Sequence, residues 1–484
     1  MVGAASSEHD PFASPQPGWA EQDPLDWWNA CGLAVRQVIA NSGLRASDIA
    51  CVGFSGQMHG AVLLDQKGDV VRPALIWCDQ RTEPQSRALA ATIGTDRIIQ
   101  LTSNPPLTNF TLTKLLWVRE NEPALWSRAR HLLLPKDYVR YRLTGERAID
   151  VADASGTLLL DVAAREWSAE MLRLAAIDRQ MLPALYESPA VCGNVSYAGA
   201  NATGIPAGTP VVAGAGDQAA GAMGMGIVRP GAGSVTIGTS GVVFAATDRP
   251  ALDPRGRLHT FCHAIPGRWH VMGVTQAAGL SLRWFRDRFG AGAEDGREAY
   301  DRLVEEASTA GAGAEGLFWL PYLMGERTPH LDPGARAALV GLAASHTRAH
   351  VVRAILEGVA FSLKDSFTIF DEMRVPVERI RLGGGGARSA LWRQIQADVY
   401  GREVETVESE EGAAYGAAIL AGVGAGNWST VEEACEQAVR AREKTAPNPE
   451  TAALLARNYL TYRRLYPALR AALTGEAPPS TAPV

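Results

Sequence analysis

Pro210-Val211-Val212-Ala213-Gly214-Ala215-Gly216-Asp217-Gln218-Ala219-Ala220-Gly221 is the stretch on which the fold class turns. A short apolar run ends among glycines, and an aspartate opens a run of small helix-forming residues. Strand, tight turn and helix in that order is an α/β layout. The wider segment from Thr209 to Val228 is about twenty mostly small or apolar residues, the length of a membrane span. Asp217 and Gln218 at its middle argue against one, because an Asp there costs about 2.5–3.5 kcal/mol and Gly and Ala bury little apolar area to offset it. Asp217 itself has two readings. It is a helix N-cap, for which Asp is among the best residues. Or it is a carboxylate at the C-terminal edge of a sheet, where α/β ligand sites gather, placed to take a proton from an attacking hydroxyl.

Upstream, Asp23-Pro24 is a helix start, with Asp as cap and Pro in the first turn, and the helix is expected to run to Gly43. Ile49 to Phe54 reads as a buried strand, Gly56-Gln57-Met58-His59-Gly60 as a loop, and Ala61 to Leu64 as a strand before a turn at Lys67-Gly68-Asp69. Gln57, Met58 and His59, bracketed by glycines, offer groups to read a polyol, although a lone His is more often structural. Trp77-Cys78-Asp79-Gln80-Arg81 adds an aromatic wall and two charges, with Asp79 and Arg81 otherwise a surface pair at a helix start. Strand and helix signals keep alternating, so an α/β protein is expected throughout. Val228-Arg229-Pro230-Gly231 separates two halves, 1–228 and 229–473. Loops are expected at Gly290–Gly296 and Gly311–Gly316, and a disordered tail over 474–484.

Downstream, Ser234 to Phe244 reads as two strands around Gly238-Thr239-Ser240-Gly241. That turn is either a plain hairpin or a set of backbone N–H groups and hydroxyls aimed at phosphate oxygens. Ile380 to Ser389 holds Gly383-Gly384-Gly385-Gly386-Ala387 between a strand and a helical pattern, the layout of a nucleotide-contacting loop. No Gly-Lys-Ser/Thr follows, so it is not a Walker A motif, and the dinucleotide fingerprint is not evident.

The chain has 484 residues, 46% hydrophobic and 20% charged, with net charge −6. Length and composition fit two domains of a soluble α/β protein, and the charge argues against a nucleic-acid or anionic-lipid surface. Six scattered cysteines with no C-x-x-C pair fit a reducing compartment such as the cytoplasm and argue against a zinc knot. The N-terminus has no basic segment followed by an apolar run, so no signal peptide is read. No membrane partner is expected, and a homodimer is compatible with these features.

Taken together the segments resemble the FGGY carbohydrate kinases, over nearly the whole chain from about Trp19 to past Leu465. SGQMHG (55–60), LIWCDQR (75–81), NFTLTKLLWVREN (109–121), LPKDYVRYRLTG (134–145), AGAGDQAAGAMG (213–224), GTSG (238–241), LPYLMGERTPH (320–330) and GGGGARS (383–389) carry the resemblance, and their order is more specific than any one of them. Asn109 departs from the usual Gly or aromatic residue. The resemblance implies two ribonuclease-H-like, actin-like domains around a cleft, sugar mainly on the first and ATP mainly on the second. It implies Asp217 as catalytic base, with Gln57, Met58, His59, Trp77, Asp79 and Arg81 near the sugar. It places Gly238, Thr239, Ser240 and Gly241 at the phosphates and Gly384, Gly385, Gly386 and Ala387 at the adenosine. ATP with Mg²⁺ would phosphorylate a small ketose, D-xylulose, with ribulose, gluconate or glycerol as alternatives and a non-catalytic sugar- or nucleotide-binding protein as another. The family's opening hairpin with its D-x-G-T-S turn is not found before Trp19. About 15–20 residues are expected upstream of Met1, on the reading that the start codon is misplaced.

Overall fold

The computed structural model describes residues 2–290, 297–409 and 411–474. Most of the loop expected at Gly290–Gly296, and the tail after Thr474, lie outside the described residues. The second half is built on a seven-stranded sheet in the order His259–Cys262, Trp269–Thr275, Gly241–Thr247, Gly231–Ile237, Val377–Gly384, Val404–Val407, Ala441–Thr445. Gly231–Ile237 is its pivot. It pairs antiparallel with Gly241–Thr247 across the Gly238–Ser240 turn and parallel with Val377–Gly384. Side chains alternate across this hairpin, as strand geometry requires. Val235, Ile237, Val243 and Ala245 enter a core with Val352, Ile355, Leu356, Val359 and Leu363 of the long helix Arg348–Glu372. Ser234, Thr236, Val242 and Phe244 line the other face, a cleft. Each fully buried large side chain on the core face contributes about 1.5–3 kcal/mol.

The first half starts as the sequence predicts. Asp23 accepts from Leu25 N at 2.9 Å, Pro24 opens the helix Pro24–Ser42, and Gly43 at φ 71° closes it. Trp27 and Trp28 are buried beneath it. The expected buried strand Ile49–Phe54 is a correction: Val52 only bridges Val211, Ser55–Gly56 pair parallel with Ala215–Gly216, and Cys51 to Gln57 are half-buried. The cause is one-sided bonding. Val52 donates to Pro210 O (2.9 Å) and accepts from Val212 N (3.0 Å), while the opposite flank borders a slot of about 430 Å³. The slot runs between Trp28, Cys31 and Val35 of the first helix and Ala413, Ala414 and Ala417 of helix Gly412–Gly424. Among the described residues no strand flanks this segment in the way Gly231–Ile237 flanks Val377–Gly384, and the strands of the first half occur in pairs.

The two halves share an interior. Phe110, Leu112, Leu115 and Leu158 pack in one core with Phe244, Phe261 and Met272. Buried polar bonds cross the same seam: Asn104 Nδ2 to Thr260 O (2.8 Å), Cys262 N to Ser155 Oγ (3.0 Å) and Trp269 Nε1 to Val162 O (2.7 Å).

Candidate active site

Asp217 is the first residue of helix Asp217–Gly224, not its cap. Gly216 holds the cap position, and no side chain caps the helix. The carboxylate is therefore free to face the cleft. It stands where two cavities meet, the slot above and a larger cleft of about 590 Å³. Glycines bring it there. Gly214, at φ 78°, lies so close to Phe54 O that a Cβ would sit 2.3 Å away, and a Cβ on Gly216 would sit 2.7 Å from Met58 Cγ. The Asp217 side chain is half-buried, and burial pushes its pKa up from 3.8 to about 6, against the opposing hydrogen bonds of Gln218. The dipole of a helix N-terminus favours the ionised form near neutral pH.

The larger cleft is lined on the second half by Thr236, Gly383, Gly384, Gly385, Ala387 and Arg388. The glycine run is dictated by contact as well as conformation. Gly384 has φ 70°, and its Cβ would meet Ile237 O at 2.4 Å, while a Cβ on Gly386 would meet the Ile237 side chain at 2.6 Å. Ile237 leads directly into the Gly238–Gly241 turn, so the two glycine motifs are neighbours. In that turn Gly238 N donates to Ser240 O at 2.9 Å, and the carbonyls of Gly238 and Thr239 receive Gly279 N and Leu280 N. Gly238 and Thr239 are exposed and Ser240 half-buried, so the hydroxyls stay available. Gly386 and the turn itself do not line the cleft wall directly. Ser234, Thr236, Arg388, Arg393, Ser409 and Arg442 do line it and were not anticipated. Ser234 and Thr236 carried a signal, two hydroxyls alternating with apolar residues along one strand. Arg442 and Ser409 are far away in the chain and carried none.

The predicted sugar contacts divide. Gln57 shares the slot with Asp217, and Met58 packs against Gly216. His59 is buried at φ 67°, with Nδ1 2.8 Å from Gly156 O and its ring edge-on to Phe110. Burial lowers its pKa to about 3, so the ring is neutral. The carbonyl only accepts, which puts the proton on Nδ1 and leaves Nε2 as an acceptor. Trp77 is exposed. Asp79 and Arg81, expected near the sugar with a surface pair as the other reading, are both taken up in the interior, and neither lines the two cavities that meet at Asp217. Asp79 accepts from Ala20 N (2.6 Å) and from Arg81 Nε (3.0 Å), and Arg81 also reaches Glu21 Oε1 at 2.7 Å. The guanidinium lies over the Trp19 ring, 3.7 Å from its centroid, a geometry that favours a planar cation. They brace the loop that carries Trp77.

One cleft thus joins a glycine-lined bay and a half-buried carboxylate of raised pKa, with the hydroxyl-bearing turn next to the bay through Ile237. These are the parts of a phosphoryl transfer run by positioning. The chain matches the FGGY family of carbohydrate kinases, N-terminal domain, over residues 1–224, and the C-terminal domain of the same family over 233–425. It is 38% identical over 465 residues to a xylulose kinase of Bacillus subtilis, covering 96% of this chain and 92% of that one. It is 39% identical over 466 residues to a xylulose kinase of Escherichia coli, covering 96% and 94%. A crystal structure of a xyloylose kinase from Brucella ovis superposes with TM-score 0.89 at 36% identity, over 97% of this chain and 94% of that one. With both halves of the family matched and the fold shared along nearly its whole length, the chain belongs to the FGGY carbohydrate kinases, ATP-dependent enzymes that phosphorylate a sugar alcohol group.

Proposed function

We propose that the chain transfers the γ-phosphoryl group of ATP to the 5-hydroxyl of D-xylulose, giving ADP and D-xylulose 5-phosphate. The observation that carries this reading is the place of Asp217, a half-buried carboxylate between the Gln57–Met58 wall and the glycine-lined bay. The relatives named above, xylulose kinases of similar length, support the choice of sugar. Asp217 accepts the hydroxyl proton as the oxygen attacks phosphorus. A pKa of about 6 suits that task, because a general base works best when its pKa lies near the working pH. The Thr239 and Ser240 hydroxyls, with the amides of the turn, steady the phosphates. Gly384 to Ala387 flank the adenosine, where absent side chains let the nucleotide approach the backbone.

Magnesium fits this site only as a companion of the nucleotide. Among the described residues no group of three or more His, Cys, Asp or Glu could hold a metal ion. Asp217 and the Thr236 hydroxyl offer oxygens on the cleft wall, so most of the ligands would be phosphate oxygens and water. When bound, the ion offsets charge on the transferring phosphoryl group. A cytoplasmic location belongs to this reading, supported by six unpaired cysteines and by the lack, among the described residues, of a helix long and apolar enough to cross a membrane. So does a homodimer, which sedimentation at micromolar concentration would check.

The substrate is tested by acceptor-dependent ADP release with D-xylulose, D-ribulose, gluconate and glycerol. A site built to hydrogen-bond one set of hydroxyls rejects analogues strongly, so kcat/KM for D-xylulose should exceed the others by about tenfold or more. A higher kcat/KM for any of the other three would replace D-xylulose with that acceptor.

A further inference from the structure

Behind the acceptor wall lies a group of charges with no part in the chemistry so far. Lys136, Asp137, Arg140, Asp150 and Asp153 all have side chains without solvent exposure. Lys136 Nζ sits 2.6 Å from Asp137 Oδ1, 2.6 Å from Asp150 Oδ2 and 3.2 Å from Asp153 Oδ2. Arg140 Nη1 is 2.9 Å from Asp137 Oδ1. Two cations face three carboxylates, and burial raises the pKa of Asp150 and Asp153 against the pull of Lys136. Such a cluster is poor glue, because desolvating the ions offsets most of their attraction, and apolar residues of the same volume often stabilise as well or better. Its contacts say what it does instead.

The cluster bonds the start of the segment that delivers Asp217 and packs closely behind its end. Arg140 Nη1 donates to Ala213 O at 2.6 Å, and its other arm reaches Ala148 O. Asp153 Oδ1 lies 3.2 Å from where a Cβ on Gly216 would stand, beside the Met58 side chain. Asp150 accepts from Ser188 Oγ at 3.4 Å, and Ser188 O accepts from Gly214 N at 3.0 Å. Lys136 Cβ backs Gly56, the parallel partner of Gly216, at 2.9 Å from a Cβ built there. We propose that this cluster is a positioning device, with Arg140 and Asp153 fixing Ala213–Gly216 and, through it, the Asp217 carboxylate against the acceptor wall. The proposal rests on Asp217 being the base.

The test is a double-mutant cycle of Arg140→Lys and Asp153→Asn, each alone and with Asp217→Asn, in ADP release with ATP, Mg²⁺ and D-xylulose. Lysine keeps the charge but cannot fork to two carbonyls, and asparagine keeps the shape of Asp153. Each single variant should lower kcat about 10–100-fold, since a misplacement of about 1 Å costs about that much. KM for ATP should hold within about twofold, and in the Asp217→Asn background the loss should shrink to about twofold or less, because coupled residues are not additive. A folded variant with wild-type kcat, or the same loss in both backgrounds, overturns the proposal. Should Arg140→Lys fail to fold, Asp153→Asn carries the cycle alone. Wild-type turnover in Asp217→Asn by itself overturns the base assignment, and that is read before either cluster variant is combined with it.

Discussion

Asp217 is held by its neighbours in a state that suits a base and costs the fold. Its pKa of about 6 lies above the ordinary 3.8, and burial is the cause. Two outcomes follow with opposite signs. As a base it must be ionised, so kcat/KM should be flat above about pH 6 and fall about tenfold per unit below it. As a buried acid its raised pKa favours the folded state at low pH, and that contribution is lost as pH rises through about 6. Asp217→Asn should therefore raise the melting temperature at pH 8 and leave it nearly unchanged at pH 4, by about 1–2 kcal/mol once partial exposure is allowed for. Gly216→Ala is a sharper probe of packing. Its methyl would press on Met58 and Asp153, and kcat should fall with KM for ATP spared. The aspartate was legible in the sequence as one of two readings, and geometry decided against the cap. The surface-pair reading of Asp79 and Arg81 fails because charge in sequence suggests surface, whereas both side chains are buried and Arg81 lies over Trp19 and Trp117 from other parts of the chain. Of the Lys136 cluster, Lys136, Asp137 and Arg140 were legible only as part of a family motif, and Asp150 and Asp153 lie beyond it. Its meaning needs Ala213 and Gly216, more than seventy residues from Arg140 by number.

Elements were legible where local chemistry sets them. The helix Pro24–Ser42 was placed to within a residue, because Asp23, Pro24 and Gly43 act on their nearest neighbours. Asp23→Ala should cost about 1 kcal/mol in urea unfolding, as loss of a bonded cap does. Strand Ile49–Phe54 was less legible, because apolar content foretells a strand but not how many flanks it will pair. The Gly383–Gly386 run was legible as a glycine loop between a strand and a helix, yet the sequence alone could not separate conformational need from space. Contact with Ile237 supplies both. Gly384→Ala is expected to weaken ATP binding in calorimetry and to cost about 1–3 kcal/mol, since the residue combines a positive φ with a carbonyl at 2.4 Å.

At the scale of the molecule, the halves are joined through Phe110, Phe261 and Phe244 rather than merely linked. Thermal unfolding should show one calorimetric transition, and Phe261→Ala should lower the stability of both halves together by about 3–5 kcal/mol. Two separate transitions would contradict a shared core. The two-half α/β plan was legible from the alternation of strand and helix signals and from the order of the glycine motifs. That one core runs across the boundary was not, since it depends on residues paired over more than a hundred positions. The joined core matters for the proposed function because it holds Gln57 of the first half and the Gly383–Gly385 bay of the second on the two cavities that meet at Asp217. The direct test is ADP release with ATP and Mg²⁺, with and without D-xylulose, for the wild-type chain and Asp217→Asn, alongside ATP binding by calorimetry. The account predicts acceptor-dependent ADP release, matched one for one by xylulose 5-phosphate, lost by about a thousandfold in Asp217→Asn while ATP binding persists. ADP release that ignores the acceptor, or that survives the substitution, would contradict it.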